Sequence, residues 1–222
     1  MTHKNNLSKL LIVPFGAAFL CILLLLMAKQ AKALPDQEMQ TGQRIDNAGL
    51  GFSYSLPEGW TELDPMLLAI YNTTLNTLSK SAEPPYLVAA YANRGSQFIP
   101  PIVMIHYIEQ PLNSGQVDAY NNMFLEEARD AEGKSKIAQK LGLASEVRFI
   151  KEESLRPGTP LVFAEADSNF GFTVKVMASP YYLRHGMLIV SYFAPKEDFP
   201  RFEDAMLVFF RSITINQDQL PD

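Results

Sequence analysis

An uninterrupted apolar stretch near the N-terminus constrains this chain more than any other feature. Residues Leu10–Met27 carry no charge, and they follow a polar, basic segment that contains Lys4 and Lys9. An α-helix rises ~1.5 Å per residue, so this stretch would nearly cross a ~30 Å hydrocarbon core. It also lacks the polar face of a helix that lies on a globular core. The sequence therefore predicts an N-terminal hydrophobic helix that targets the chain to a membrane.

Two interpretations of this leader, residues 1–33, stay open. Ala31-Lys32-Ala33 has the small-x-small pattern of a signal-peptide cleavage site, with cleavage before Leu34. The apolar stretch is longer than the ~7–15 residues usual in a signal peptide, and lysines lie in the cleavage region, which favours an uncleaved signal-anchor. Under both interpretations we expect export across, or anchoring in, the cytoplasmic membrane, with a periplasmic or other extracytoplasmic domain. The membrane is a lasting partner only if the leader stays uncleaved.

Composition limits the chemistry of the remaining chain. Cys21 lies in the leader and is the only cysteine in the sequence, so the domain has no disulfide, cysteine metal site or cysteine nucleophile. Four of the 19 Lys and Arg residues precede the first acidic residue, which leaves 15 basic against 24 acidic residues in 34–222. Affinity for nucleic acid depends largely on Lys and Arg contacts to phosphate, so we expect no nucleic-acid partner.

Residues 34–48 are polar and unpatterned, which predicts a linker, and residues 49–222 are predicted to form a single domain. Apolar alternation and turn residues predict strands at Gly51–Leu56, Tyr86–Ala92, Ile99–Glu109, Glu146–Leu155, Leu161–Asp167, Phe172–Ala178 and Gly186–Phe193. Helical spacing predicts helices that begin at Asp64, run from Asn113 to a break at Gly133, and run from Asp198 to Ser212.

This order of elements predicts an α+β fold, a mostly antiparallel β-sheet flanked by helices. The last predicted helix has an apolar stripe that such a sheet would bury. Its members are Phe199, Phe202, Met206, Phe209 and Ile213.

Two segments resemble the PsbP/DcrB-like superfamily, which also includes Mog-type Ran-binding proteins. The segment Phe52-Ser-Tyr-Ser-Leu-Pro-Glu-Gly-Trp60 is similar to the opening of these proteins, and the helix from Phe199 to Ile213 is similar to their last helix. The resemblance covers roughly residues 49–215 and implies an α/β/α sandwich. It also implies an exported, accessory role without catalysis. It transfers no site residue and no photosystem or Ran binding, because fold alone does not carry function.

Histidines and paired carboxylates are the residues most often found in catalytic or metal-binding sites, but in this sequence a purely structural role is favoured for each of them. His106 lies in a predicted strand beside Met104 and Ile108, and His185 lies in a predicted turn; neither has a second His or Cys at metal-ligand spacing. Glu165 and Asp167 share one strand face and resemble an acid–base pair. Lys175 on the next strand favours a cross-strand ion pair on a solvated face instead.

Six tyrosines suit either a binding groove or ordinary strand faces, and strand faces are favoured. They are Tyr86, Tyr91, Tyr107, Tyr181, Tyr182 and Tyr192. Trp60 is predicted to be buried and to fill the core at the edge of the sheet. The sequence assigns no catalytic, cofactor-binding or metal-ligating residue, and it predicts no cofactor. We therefore expect a non-enzymatic accessory or binding protein of the cell envelope, with an unspecified protein partner. The alternative is a small-ligand binder or hydrolase whose site follows no known motif.

Overall fold

The computed structural model describes residues 42–79, 85–93, 100–140, 144–169 and 171–222. The predicted leader, with its hydrophobic helix and the Ala31-Lys32-Ala33 site, lies outside the described residues. Within the described ranges, every helix is too short or too polar to cross a bilayer.

A seven-stranded sheet forms the centre of the domain, and all of its neighbouring strands are antiparallel. Its order is β3-β4-β5-β9-β8-β7-β6. The strands are β3 (Trp60–Glu62), β4 (Tyr86–Asn93), β5 (Ile102–Glu109), β6 (Ala144–Arg156), β7 (Thr159–Ser168), β8 (Thr173–Leu183) and β9 (Gly186–Pro195). The central strands β5 and β9 are buried along almost their whole length, because both faces of the sheet are covered.

A second, three-stranded sheet has the order β1-β2-β10 and consists of β1 (Arg44–Asn47), β2 (Phe52–Ser55) and β10 (Thr214–Ile215). Strand β1 lies within the segment predicted as a linker and pairs antiparallel with β2. Its four residues are exposed or half-buried, so they carry no apolar pattern that marks a strand. Backbone pairing with β2 forms the strand instead.

Four α-helices in the described part of the chain cover the large sheet. They are α1 (Pro65–Ser79), α2 (Ser114–Arg129), α3 (Ala131–Lys140) and α4 (Phe199–Ser212). The small sheet and α4 pack on one face, where Tyr54 and Phe209 meet Val190 of the large sheet in one cluster. Helices α1 and α2 cover the other face. The α+β class and the layered sandwich of helices around an antiparallel sheet are thus confirmed.

The apolar stripe of α4 is buried against the sheet as predicted. Phe209 and Met206 are 0% exposed, and the Phe209 ring makes an edge-to-face contact with Tyr54. Trp60 is buried on the edge strand β3 and contacts the rings of Tyr192 and Phe202 edge to face. The prediction that Trp60 plugs the core at a sheet edge is therefore confirmed.

The helix predicted between Asn113 and Gly133 is in fact two helices. Helix α2 ends at Arg129, and Gly133 lies inside α3, which the sequence did not predict. Asp130 separates them, because its carboxylate accepts a 2.9 Å hydrogen bond from the Gly133 backbone amide and so begins the new helix. A Cβ atom at Gly133 would clash with this carboxylate, so the glycine accommodates the junction rather than breaking a helix.

Candidate functional site

A groove of about 600 Å³, open to solvent, lies between α2 and the β6–β7 hairpin. We call it the α2–hairpin groove. Helix α2 forms one wall and the far half of β6 forms the other, while the turn between β6 and β7 closes one end. Its lining residues are Asp118, Asn121, Asn122, Leu125, Glu152, Glu153, Ser154, Gly158, Thr159 and Pro160.

The buried side-chain amide of Asn121 connects the elements that form the groove through two hydrogen bonds. Its Oδ1 accepts a 2.8 Å hydrogen bond from the Tyr182 hydroxyl of β8, and its Nδ2 donates a 2.9 Å hydrogen bond to the Gly158 carbonyl oxygen. One side chain thus connects α2 to the sheet and to the hairpin turn. Because Asn121 and Tyr182 are both buried, breaking either bond leaves a polar group without solvent to replace it.

Acidic and neutral polar groups dominate the groove. Three of its ten lining residues are carboxylates, and none is Lys, Arg or His. Glu152 accepts hydrogen bonds of 2.5 and 3.0 Å from Arg129, and Glu153 lies 2.5 Å from Lys151 Nζ. These two carboxylates are therefore partly neutralised at the rim, whereas Asp118 projects from the exposed side of α2.

His106 lies in the core rather than in the groove. It is fully buried on β5, and its Nε2 is 2.9 Å from the Tyr71 hydroxyl oxygen of α1. Burial lowers the pKa of His106 to about 3, so the ring is neutral at physiological pH. His185 occupies the exposed β8–β9 turn, where its backbone carbonyl accepts hydrogen bonds from Gln110 and Tyr107. Both histidines occupy the structural positions that the sequence predicted.

The carboxylates Glu165 and Asp167 belong to an ion network. Glu165 faces Lys175 in the β7–β8 register at 3.6 Å, and Arg148 and Lys196 approach it to 3.4 Å. The predicted cross-strand pair is therefore present, but its face is not solvated at Glu165, which is only 7% exposed. Two hydrogen bonds from Arg148 hold the pKa of Asp167 below its ordinary value.

The tyrosines occupy strand faces, as favoured from the sequence. Five are buried, namely Tyr91, Tyr107, Tyr181, Tyr182 and Tyr192, and burial is the largest cause that raises the pKa of each. Tyr86 is partly exposed and packs against the Tyr107 ring. Only Tyr182 takes part in the groove, through its hydrogen bond to Asn121.

The α2–hairpin groove itself was not predicted, because its walls are about thirty positions apart in the sequence and carry ordinary surface residues. The one local signal is the sequence Arg156-Pro-Gly-Thr-Pro160, which is typical of a loop and does not by itself indicate a binding site. In the described ranges, His, Cys, Asp and Glu side chains form no group of three or more that would hold a metal ion.

Comparison with known proteins gives a structural match only. No family model and no curated protein matches the sequence. The solution structure of cyanobacterial PsbP (CyanoP) from Synechocystis sp. PCC 6803 matches with a TM-score of 0.50 and 11% identity over 83% of this chain and 98% of that one. This match shows that the chain has the PsbP-like fold, as the resemblance implied.

Two further structures match with lower scores. A mutant of the protein Mog1 has a TM-score of 0.41 and 11% identity over 80% of this chain and 98% of that one. LpqN of Mycobacterium tuberculosis, described as involved in cell envelope biogenesis, has a TM-score of 0.41 and 14% identity over 78% of this chain and 90% of that one.

Proposed function

We propose that this chain, which has the PsbP-like fold, is a non-enzymatic accessory protein of the cell envelope that binds a protein partner in the α2–hairpin groove. The observation that carries the proposal is the groove itself, a concavity of about 600 Å³ whose wall is joined to the sheet by Asn121. Binding sites are concave and largely pre-formed, and they contain a few polar groups in fixed positions.

The chemistry of the lining favours binding over catalysis. Ion pairs to Arg129 and Lys151 occupy the groove carboxylates Glu152 and Glu153. Their oxygen atoms are already engaged by these cationic side chains and are therefore less available to contact the proton of a bound substrate, as a general base must. The groove is open and mixed in polarity, which suits a polypeptide better than a small apolar molecule.

The leader supports the envelope location. A basic start, a charge-free apolar stretch and Ala31-Lys32-Ala33 are typical of exported or membrane-anchored proteins. The domain begins within about 20 residues of that stretch, so an uncleaved chain would keep the groove close to the membrane surface. A membrane-bound partner would then meet the groove at a high effective concentration.

Affinity capture from native envelope membranes tests this function. The bait is the full chain in detergent, compared with Asp118→Lys in the groove and Glu132→Lys on α3 as a control with the same charge change. Glu132 is 82% exposed and lies outside the groove lining. We expect an envelope protein that is retained by the wild type and the control but lost with Asp118→Lys. Equal retention by all three baits, or no enriched protein, would contradict the proposal.

A further inference from the structure

We infer that the partner binds as an extended, positively charged segment that pairs with the open half of strand β6. This inference rests on the proposed function and specifies how the groove is used. Added strands of this kind gain affinity from main-chain hydrogen bonds and specificity from alternate side chains that reach neighbouring pockets.

Strand β6 is the long edge of the large sheet. It is 13 residues long and pairs only with β7 in the strand order of the described chain. Helix α3 covers its first half, where Ser135 Oγ accepts a 2.7 Å hydrogen bond from the Val147 amide and lies 3.2 Å from the Val147 carbonyl. Gln139 of α3 reaches the Ser145 carbonyl in the same way. Side chains of α3 therefore occupy the edge as a neighbouring strand would.

The second half of β6 has a different surface. Five consecutive residues, Ile150–Ser154, are exposed, although residues in a sheet normally alternate between buried and exposed. Register shifts between Phe149 and Lys151 and between Ser154 and Arg156 bracket this stretch. Between the shifts, Lys151–Ser154 pair regularly with β7. We call Ile150–Ser154 the open edge; its regular part accommodates a segment of about four residues.

The open edge and the α2–hairpin groove form one surface. Glu152 lies opposite Val162, whose side chain packs in the cluster under α2, so Glu152 faces the groove. Glu153 borders the groove, but it lies opposite Leu161, whose side chain packs on the other face of the sheet. A segment added to β6 would therefore direct alternate side chains into the groove, past Glu152 and towards Asp118 on α2.

Charge selects the partner. Arg129 and Lys151 already pair with Glu152 and Glu153, so the attraction for a cation comes mainly from Asp118 and from the overall charge of residues 34–222, which have 24 acidic against 15 basic side chains. Such a field attracts basic segments and speeds their association. A second copy of this chain carries the same acidic excess, so electrostatic repulsion opposes its approach. A lysine- or arginine-bearing extended segment of another protein fits both the edge and the groove.

Synthetic probe peptides of about eight residues test this inference by fluorescence anisotropy with the full chain in neutral detergent. One peptide alternates lysine and valine, a second alternates glutamate and valine, and a third is the lysine peptide with its central valines replaced by proline. We expect the lysine–valine peptide to bind at least about tenfold tighter than the other two. Equal binding of the proline peptide would overturn the inference, because proline preserves the charge but prevents strand pairing.

Matched variants test where on the protein the lysine–valine peptide binds. Glu152→Lys should weaken binding of the lysine–valine peptide by about tenfold or more, whereas Glu132→Lys should leave it within about twofold. Amide exchange of Lys151–Ser154 should slow when the peptide binds. Equal weakening by both variants, or no added protection of these amides, would refute strand addition. If membrane capture depends on Asp118 but the peptides do not bind, the inference fails while the proposed function stands.

Discussion

The Tyr182 hydroxyl donates a 2.8 Å hydrogen bond to Asn121 Oδ1 and so joins the central sheet to the wall of the α2–hairpin groove. Both side chains are buried, and the other end of the Asn121 amide binds the Gly158 carbonyl in the hairpin turn. The groove therefore depends on one amide that satisfies two separate partners. Its shape is therefore linked to the packing of α2 on the sheet.

Asn121→Ala should lower the free energy of unfolding by about 1–3 kcal/mol, because it leaves the Tyr182 hydroxyl and the Gly158 carbonyl without their partner. It should also reduce partner capture. Urea denaturation of the purified protein measures the first effect. Asn122→Ala is the matched control, since Asn122 is exposed on the same helix and should change stability by less than ~0.5 kcal/mol. Equal changes in the free energy of unfolding for Asn121→Ala and Asn122→Ala would show that the two Asn121 hydrogen bonds do not stabilise the protein.

Phe209→Ala should lower the free energy of unfolding by about 3–5 kcal/mol, because it opens a cavity beneath α4 in a fully buried cluster. Val208→Ala on the neighbouring position is the control. Val208 is 65% exposed, so its truncation should alter stability by less than ~0.5 kcal/mol. Denaturation midpoints of the two variants measure the difference. Similar midpoints would mean that the aromatic stripe of α4 does not stabilise the fold.

His106 should make the protein less stable in acid. The unfolded chain takes up a proton on this histidine near its ordinary pKa of 6.5, whereas burial lowers the folded pKa to about 3. The contribution of neutral His106 is therefore complete above pH ~6.5 and is lost as the pH falls towards 3, with a slope of up to ~1.4 kcal/mol per pH unit. In His106→Gln, which keeps an acceptor for the Tyr71 hydroxyl, stability measured between pH 6.5 and 4 should fall less steeply. An unchanged slope would contradict the burial of a neutral ring.

The leader should place the domain on the far side of the cytoplasmic membrane. A C-terminal alkaline phosphatase fusion should therefore be active, because this reporter folds only where disulfides form. A cytoplasmic reporter fused at the same position should be inactive. An inactive phosphatase fusion together with an active cytoplasmic reporter would contradict the proposed envelope location.

Much of the fold follows from local sequence patterns. The apolar stripe of α4 and the buried runs of β5 and β9 each carry the period of the element they form. Strand β1 and helix α3 lack such a period, since β1 depends on backbone pairing with β2 and α3 is a short polar helix packed on an edge strand. These two elements form through contacts with other elements, and a local apolar pattern in the sequence does not reveal such contacts.

The candidate site was less predictable than the fold. The interpretations of His106 and of the Glu165–Lys175 pair rested on strand alternation and register, and that of His185 rested on a predicted turn; the structure reproduces all three. The burial of Glu165 was missed, because Arg148 and Lys196, which approach it, are distant from it in the sequence. The groove was missed because Asn121 and Gly158 meet only after α2 packs on the sheet, and neither residue type marks a site by itself.

Site-specific photocrosslinking in native membranes tests the central claim most directly, namely that the α2–hairpin groove is the surface that binds a protein partner. A photoreactive benzoylphenylalanine would replace Asn122 in the groove or, as the control, Glu132 on α3. Both positions are exposed, so we expect the larger side chain to extend into solvent. The account predicts a discrete adduct with another envelope protein from position 122 and none from position 132. No adduct from position 122, or the same adduct from both positions, would contradict it.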